Sequence, residues 1–122
     1  RLISDTLIEL LVQRDGVIGL IPFNLFMKQD WSRGDKRSDC TIDDYVDMID
    51  YICQLVGNAQ HVGIGSDWDG GFGVESVPVP FDTIADLSLI GDKLKDRGFS
   101  PEDVNAIMNS NFLRMIKRVL PE

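Results

Sequence analysis

The sequence predicts an α/β fold, and within that class the C-terminal part of a (β/α)8 barrel. Three observations predict it. Two short apolar runs, Val17-Ile18-Gly19-Leu20-Ile21 and His61-Val62-Gly63-Ile64-Gly65, read as strands covered on both faces, as in a parallel sheet. A helical run over residues 42–56 joins them, which is the pattern of a βαβ crossover. Two parallel strands on their own leave open edges and uncovered apolar surface, so helices alternating with such strands point to a piece of a larger sheet, a barrel being the best candidate. Residues 1–122 are therefore expected to form one C-terminal segment of a single barrel domain, the last two strands with their helices, with the N-terminal strands absent.

The elements follow in order. Ser4 is a good N-cap with Asp5 behind it, and Leu7, Ile8, Leu10, Leu11 and Val12 give the first helix an apolar stripe. Asp15-Gly16 stops that helix, with Gly16 expected in the left-handed conformation. Pro22 ends the first strand, because proline cannot donate to a central ladder. Residues 22–40 read as a long connection, and a loop of that length in a compact domain is more often functional than incidental. Thr41 caps the second helix, with Asp44 at the capping-box position, and Gly57 ends it. After the second strand, Gly70-Gly71-Phe72-Gly73 and the prolines at 78 and 80 mark another long loop. Asp82 is expected to cap a third helix that closes at Gly98, and Ser100-Pro101-Glu102-Asp103 opens a fourth.

Composition limits the function classes. The hydrophobic share of 43% and charged share of 26% are ordinary for a globular domain. A net charge of −8 argues against nucleic acid or an anionic membrane as the main partner. No apolar run approaches the roughly 20 residues needed to span a bilayer. Cys40 and Cys53 make no CxxC pair and fit a reducing compartment.

Chemistry concentrates in Ser66-Asp67-Trp68-Asp69-Gly70-Gly71, directly after the second strand. Carboxylates at the C-terminal end of a buried parallel strand are where α/β proteins place their chemistry. If strand geometry persists, Asp67 and Asp69 point in opposite directions, so one could face a barrel mouth and move protons. The plain alternative is that both are turn residues bonding nearby amides. A third is a magnesium ion held by the pair, although no glycine-rich phosphate loop accompanies it. His61, the only histidine, precedes the strand and so sits at the opposite end, in a structural or surface role. No HxH, HExxH or Cys/His cluster is present to build a transition-metal site. Trp68 and Phe72 line a pocket or pack in the core, and Asn109, Ser110 and Asn111 bond loop backbone or face solvent.

The run from His61 to Gly70 resembles the signature near the last barrel strand of the membrane dipeptidase family, also called the renal dipeptidase family. Gly16-Val17-Ile18-Gly19-Leu20 is similar to its preceding strand, Asn111-Phe112-Leu113-Arg114 to its C-terminal helix, and Arg1 to Asp5 to an Arg-Asn-containing segment, with Leu2 in place of the common Asn. The resemblance implies a (β/α)8 barrel of the metal-dependent hydrolase type that cleaves dipeptides. It implies two zinc ions held by residues outside this chain, Asp67 as the catalytic proton carrier and Arg1 as the ligand of the substrate carboxylate. Dipeptides are then the expected partner, a homodimer is compatible, and the 122 residues alone are expected to be inactive. The alternative is a barrel that keeps the fold and binds a ligand or partner without catalysis.

Overall fold

A computed structural model describes residues 3–120. Helix α1 (Asp5–Gln13) begins on Ser4, whose hydroxyl accepts the Leu7 N–H. The residue that breaks it in the left-handed region is Asp15, with φ 53°, and not Gly16. Aspartate is among the few L-residues that tolerate that region. Here its carboxylate meets the guanidinium groups of Arg114, at 3.4 Å, and Arg118. Gly16 serves a close approach instead: a Cβ there would lie 3.0 Å from the Leu11 carbonyl oxygen.

Strands β1 (Ile18–Leu20) and β2 (Val62–Ile64) pair in parallel, Ile18 opposite Val62 and Leu20 opposite Ile64. Helix α3 (Ile42–Val56) connects them, so the expected βαβ unit is present. Its start is fixed by a reciprocal pair of bonds: the Asp44 carboxylate accepts the Thr41 N–H at 2.7 Å, and the Thr41 hydroxyl accepts the Asp44 N–H at 3.4 Å. Gly57 closes it at φ 81°, where a Cβ would be strained. Tyr45, Val46, Ile49 and Ile52 turn inward to a core shared with Leu20, Val62, Phe81, Ile90, Leu94 and Ile107. The Tyr45 hydroxyl donates to the Leu20 carbonyl at 2.8 Å, tying the helix to the end of β1.

Glycines set how closely the layers approach. A Cβ on Gly65 would lie 2.9 Å from the Gly19 carbonyl carbon, and one on Gly63 would lie 2.6 Å from the Phe112 ring. The face that Gly19 and Gly63 present thus receives that ring in place of their own side chains.

The connection after β1 is less irregular than its sequence suggests. It holds a four-residue helix α2 (Asn24–Met27) and a 3-10 turn at Arg37–Asp39, both too short to show periodicity. The third helix starts one residue later than expected. Thr83, not Asp82, forms the capping box, with Asp86, and a 3-10 turn at Ile84–Leu87 leads into α4 (Ser88–Asp96). Either residue type can cap, so a Thr beside an Asp is ambiguous in sequence. The final helix is α5 (Pro101–Asn105), opened by Ser100 as expected, then a π-helical turn at Ala106–Ser110, then α6 (Asn111–Val119).

Candidate active site

The site grows from the end of β2. Its last ladder bond runs from the Gly65 N–H to the Leu20 carbonyl, at 2.8 Å. Two residues on, Asp67 stands at φ 51°, the only non-glycine besides Asp15 in the left-handed region among the described residues. The strand therefore does not continue through Asp67 and Asp69, and the expected strand-like alternation between them does not occur. The backbone folds into a turn closed by the Gly70 N–H donating to the Asp67 carbonyl at 2.9 Å. Both aspartates are exposed. A non-glycine held at positive φ costs of the order of 1 kcal/mol or more, and such conformations cluster at functional sites.

Aromatic side chains hold this corner from below. Trp68 packs against Phe81 with ring centroids 5.8 Å apart, and Phe72 stacks on Phe23 at 4.3 Å. Phe23 follows β1 and Phe72 follows β2, so the loops at the C-terminal ends of both strands meet here. Arg37 fastens them further. Its Nε donates to the Val77 carbonyl at 2.8 Å and its Nη1 to Asp82 at 2.7 Å. A bridge between Thr41 and Val79 adds two backbone bonds, Ile42 N–H to the Val79 carbonyl and Val79 N–H to the Cys40 carbonyl. Near the same end, the Trp68 Nε1 and both amide atoms of Asn24 are buried without a partner among the described residues. The sequence places Asn24 in the long connection after β1 but assigns it no role. A polar residue just beyond a buried strand is the signal that could have found it.

His61 lies at the other end of β2, buried, with its Nδ1 2.9 Å from the Gly16 carbonyl. Its structural role follows from that contact. Asn111, also buried, donates to the Ala59 and Val62 carbonyls, so it bonds backbone and does not face solvent. Arg1 lies outside the described residues.

These residues do not fit a zinc site. Among the described residues no three His, Cys, Asp or Glu side chains come together in a metal-holding cluster. His61 is at the opposite end of β2 from Asp67, and both cysteines are buried free thiols. Burial pushes the Cys53 thiol up to about 11 and raises Cys40 as well, so neither offers a ready thiolate.

The comparisons with known proteins bear on this corner. The family model described as membrane dipeptidase (peptidase family M19) matches residues 1–120. The chain belongs to the membrane dipeptidase family. Among curated relatives, the dipeptidase aclJ of Aspergillus oryzae is 26% identical over 95% of this chain and 25% of its own length. An uncharacterised dipeptidase of Schizosaccharomyces pombe is 26% identical over 96% of this chain and 26% of its own. The M19 chain thus spans about a quarter of the length of these two relatives. Among solved structures, a dipeptidase described as an M19 metallopeptidase superposes with TM-score 0.81 at 19% identity, covering 97% of this chain and 32% of that one. The probable dipeptidase PvdM of Pseudomonas aeruginosa gives 0.74 at 22% identity, covering 92% and 39%. At these identities the solved structures establish likeness of fold. No helix among the described residues of this M19 chain is long and apolar enough to cross a membrane.

Proposed function

We propose that this chain is the C-terminal part of a (β/α)8-barrel metallodipeptidase and supplies its proton-transfer aspartate, Asp67. The observation that carries the proposal is the left-handed conformation of Asp67 immediately past the end of β2, which sets an exposed carboxylate on the rim formed by both post-strand loops. Family membership and the named dipeptidases among the relatives support the reaction class.

In this reading Asp67 takes a proton from the water that attacks the peptide carbonyl. It then delivers that proton to the departing amine nitrogen as the carbon–nitrogen bond breaks, and so returns to the carboxylate form. Asp69 and Gly70 shape the turn and do not react. Arg1 binds the C-terminal carboxylate of the dipeptide through its planar guanidinium fork. On the family reading two zinc ions would be held by residues outside this chain; among the described residues no three His, Cys, Asp or Glu side chains come together. The buried, unpartnered atoms of Asn24 and Trp68 support a rim completed by further groups.

The test is dipeptide hydrolysis by the full-length protein, wild type against Asp67→Asn. A loss of about 10²- to 10⁴-fold in kcat is expected for removal of a general acid–base group. Activity within a few fold of wild type would remove Asp67 from this role.

A further inference from the structure

We propose that Asn111 is a positioning residue which fixes where a further parallel strand pairs with β2. The inference rests on the barrel reading above but concerns a different group and a different end of the strand.

The ladder between β1 and β2 shows which backbone groups are taken. The Ile18 N–H donates to the His61 carbonyl and the Gly65 N–H to the Leu20 carbonyl, each at 2.8 Å. Residues 61, 63 and 65 thus face β1. Backbone groups alternate along a strand, so those of Val62 and Ile64 turn to the opposite edge. On that edge the Val62 carbonyl is bonded, but by a helix. The Asn111 Nδ2 donates to it at 2.8 Å and to the Ala59 carbonyl at 2.7 Å. The Asn111 Oδ1 accepts from Arg114 Nη1 at 3.1 Å, and Arg114 Nη2 donates to the Gln60 carbonyl at 2.8 Å. Three carbonyls at the start of β2 are gripped by two side chains one turn apart. The Asn111 side chain is 1% exposed, so this is an interior contact.

The π-helical turn makes it possible. A wide turn at Ala106–Ser110 comes just before Asn111, and the Ser110 hydroxyl reaches the carbonyl of Asn105, five residues back, at 3.2 Å. Widening the helix there lets two consecutive residues face β2: the Asn111 amide takes the edge and the Phe112 ring covers Gly63. The amide does at Val62 what a neighbouring strand's N–H would do. A third strand therefore pairs from Ile64 onward, toward Asp67, and not from Val62. Its C-terminal end is set level with the rim by the position of Asn111.

The experiment is residue-resolved amide hydrogen exchange on the full-length protein without substrate, with kcat and KM measured alongside. In wild type the Ile64 N–H is expected to exchange at least a hundredfold slower than in unfolded chain, and the Asn111 side-chain amide protons to exchange slowly too. In Asn111→Asp, which keeps the shape and loses the donors, Ile64 protection is expected to fall at least tenfold while that of Leu20 changes less than threefold. Expected with it is a fall in kcat with KM within twofold. Val104→Ala, a buried change on the same helix that touches no β2 carbonyl, controls for general destabilisation and is expected to spare Ile64. An unprotected Ile64 N–H in wild type overturns the proposal, as does a Val104→Ala variant that loses Ile64 protection equally. If Asn111→Asp fails to fold, Asn111→Ser, which keeps a single donor, is read in its place: Ile64 protection within twofold of wild type overturns the proposal, and a partial loss supports it. Exchange is read without turnover, so an enzyme inactive on dipeptides would defeat the proposed function and leave this result standing.

Discussion

The Asp67 carboxylate lies across the α-carbon of Gly70: a methyl group placed on Gly70 would sit 2.7 Å from Cγ and from both carboxylate oxygens of Asp67. The turn that presents the carboxylate therefore also holds it in place. Gly70→Ala should leave the fold intact, since Gly70 is exposed and the obstructed atoms end a side chain that can rotate away. The rotation removes Asp67 from its position, and misplacement of a reacting group by about 1 Å can cost 10²-fold in rate. On the role proposed for Asp67, kcat of the full-length protein is expected to fall by about that factor with thermal stability unchanged. An active Gly70→Ala enzyme would show that this orientation of Asp67 is not the one used.

Gly65→Ala should behave in the opposite way. Its Cβ would meet backbone, not a mobile side chain, 2.9 to 3.1 Å from Gly19 atoms. The two strands would have to separate, at a cost of about 1–3 kcal/mol, as for other forced core insertions. Denaturant titration should show that loss, together with reduced activity.

The α3 capping box has a pH signature. Burial pushes the Asp44 carboxyl up, but the Thr41 N–H and hydroxyl together with Lys28, 3.3 Å away, outweigh it and hold the group below the usual carboxylate range. A depressed folded-state value stabilises the fold above the unfolded-state value and is lost as pH falls through the folded one. Thr41→Ala should cost about 1 kcal/mol at neutral pH. It should also flatten the acid limb of the stability profile, and equal acid limbs in the two proteins would contradict this account.

Both thiols are buried, and burial raises their pKa, that of Cys53 to about 11, so both stay protonated at neutral pH. Neither should react with a thiol-exchange reagent at pH 8 in the native protein, and both should react once it is denatured. Fast native labelling of either would place it in an environment other than the one seen here.

Much of the scaffold was legible because its signals are local. Thr41 with Asp44, Ser100 with Pro101 and Gly57 after an apolar stripe each announce a helix boundary within four residues. The α3 bounds follow directly. What stayed hidden depends on contacts distant in sequence. Asp15 takes the left-handed position from Gly16 because Arg114 and Arg118, about a hundred residues on, hold its carboxylate. The turn at Asp67 broke an alternation that assumed a continuing strand. The π-helical turn has no composition of its own, and only the register of Asn111 against β2 shows why it is there. The corner as a whole was visible as an abrupt change from apolar to acidic, whereas Asn24 was one polar residue in a loop.

Arg37 joins the two long loops by bonds to the Val77 carbonyl and Asp82, and the Thr41–Val79 bridge doubles that join. Anything that opens the rim has to carry both loops as one panel, hinged where they leave β1 and β2. Length variation is then tolerated only outside the join, as in the exposed stretch 32–36. An insertion between Val77 and Asp82 would tilt the panel and reach Asp67 through Phe81 and Trp68, without touching the turn itself.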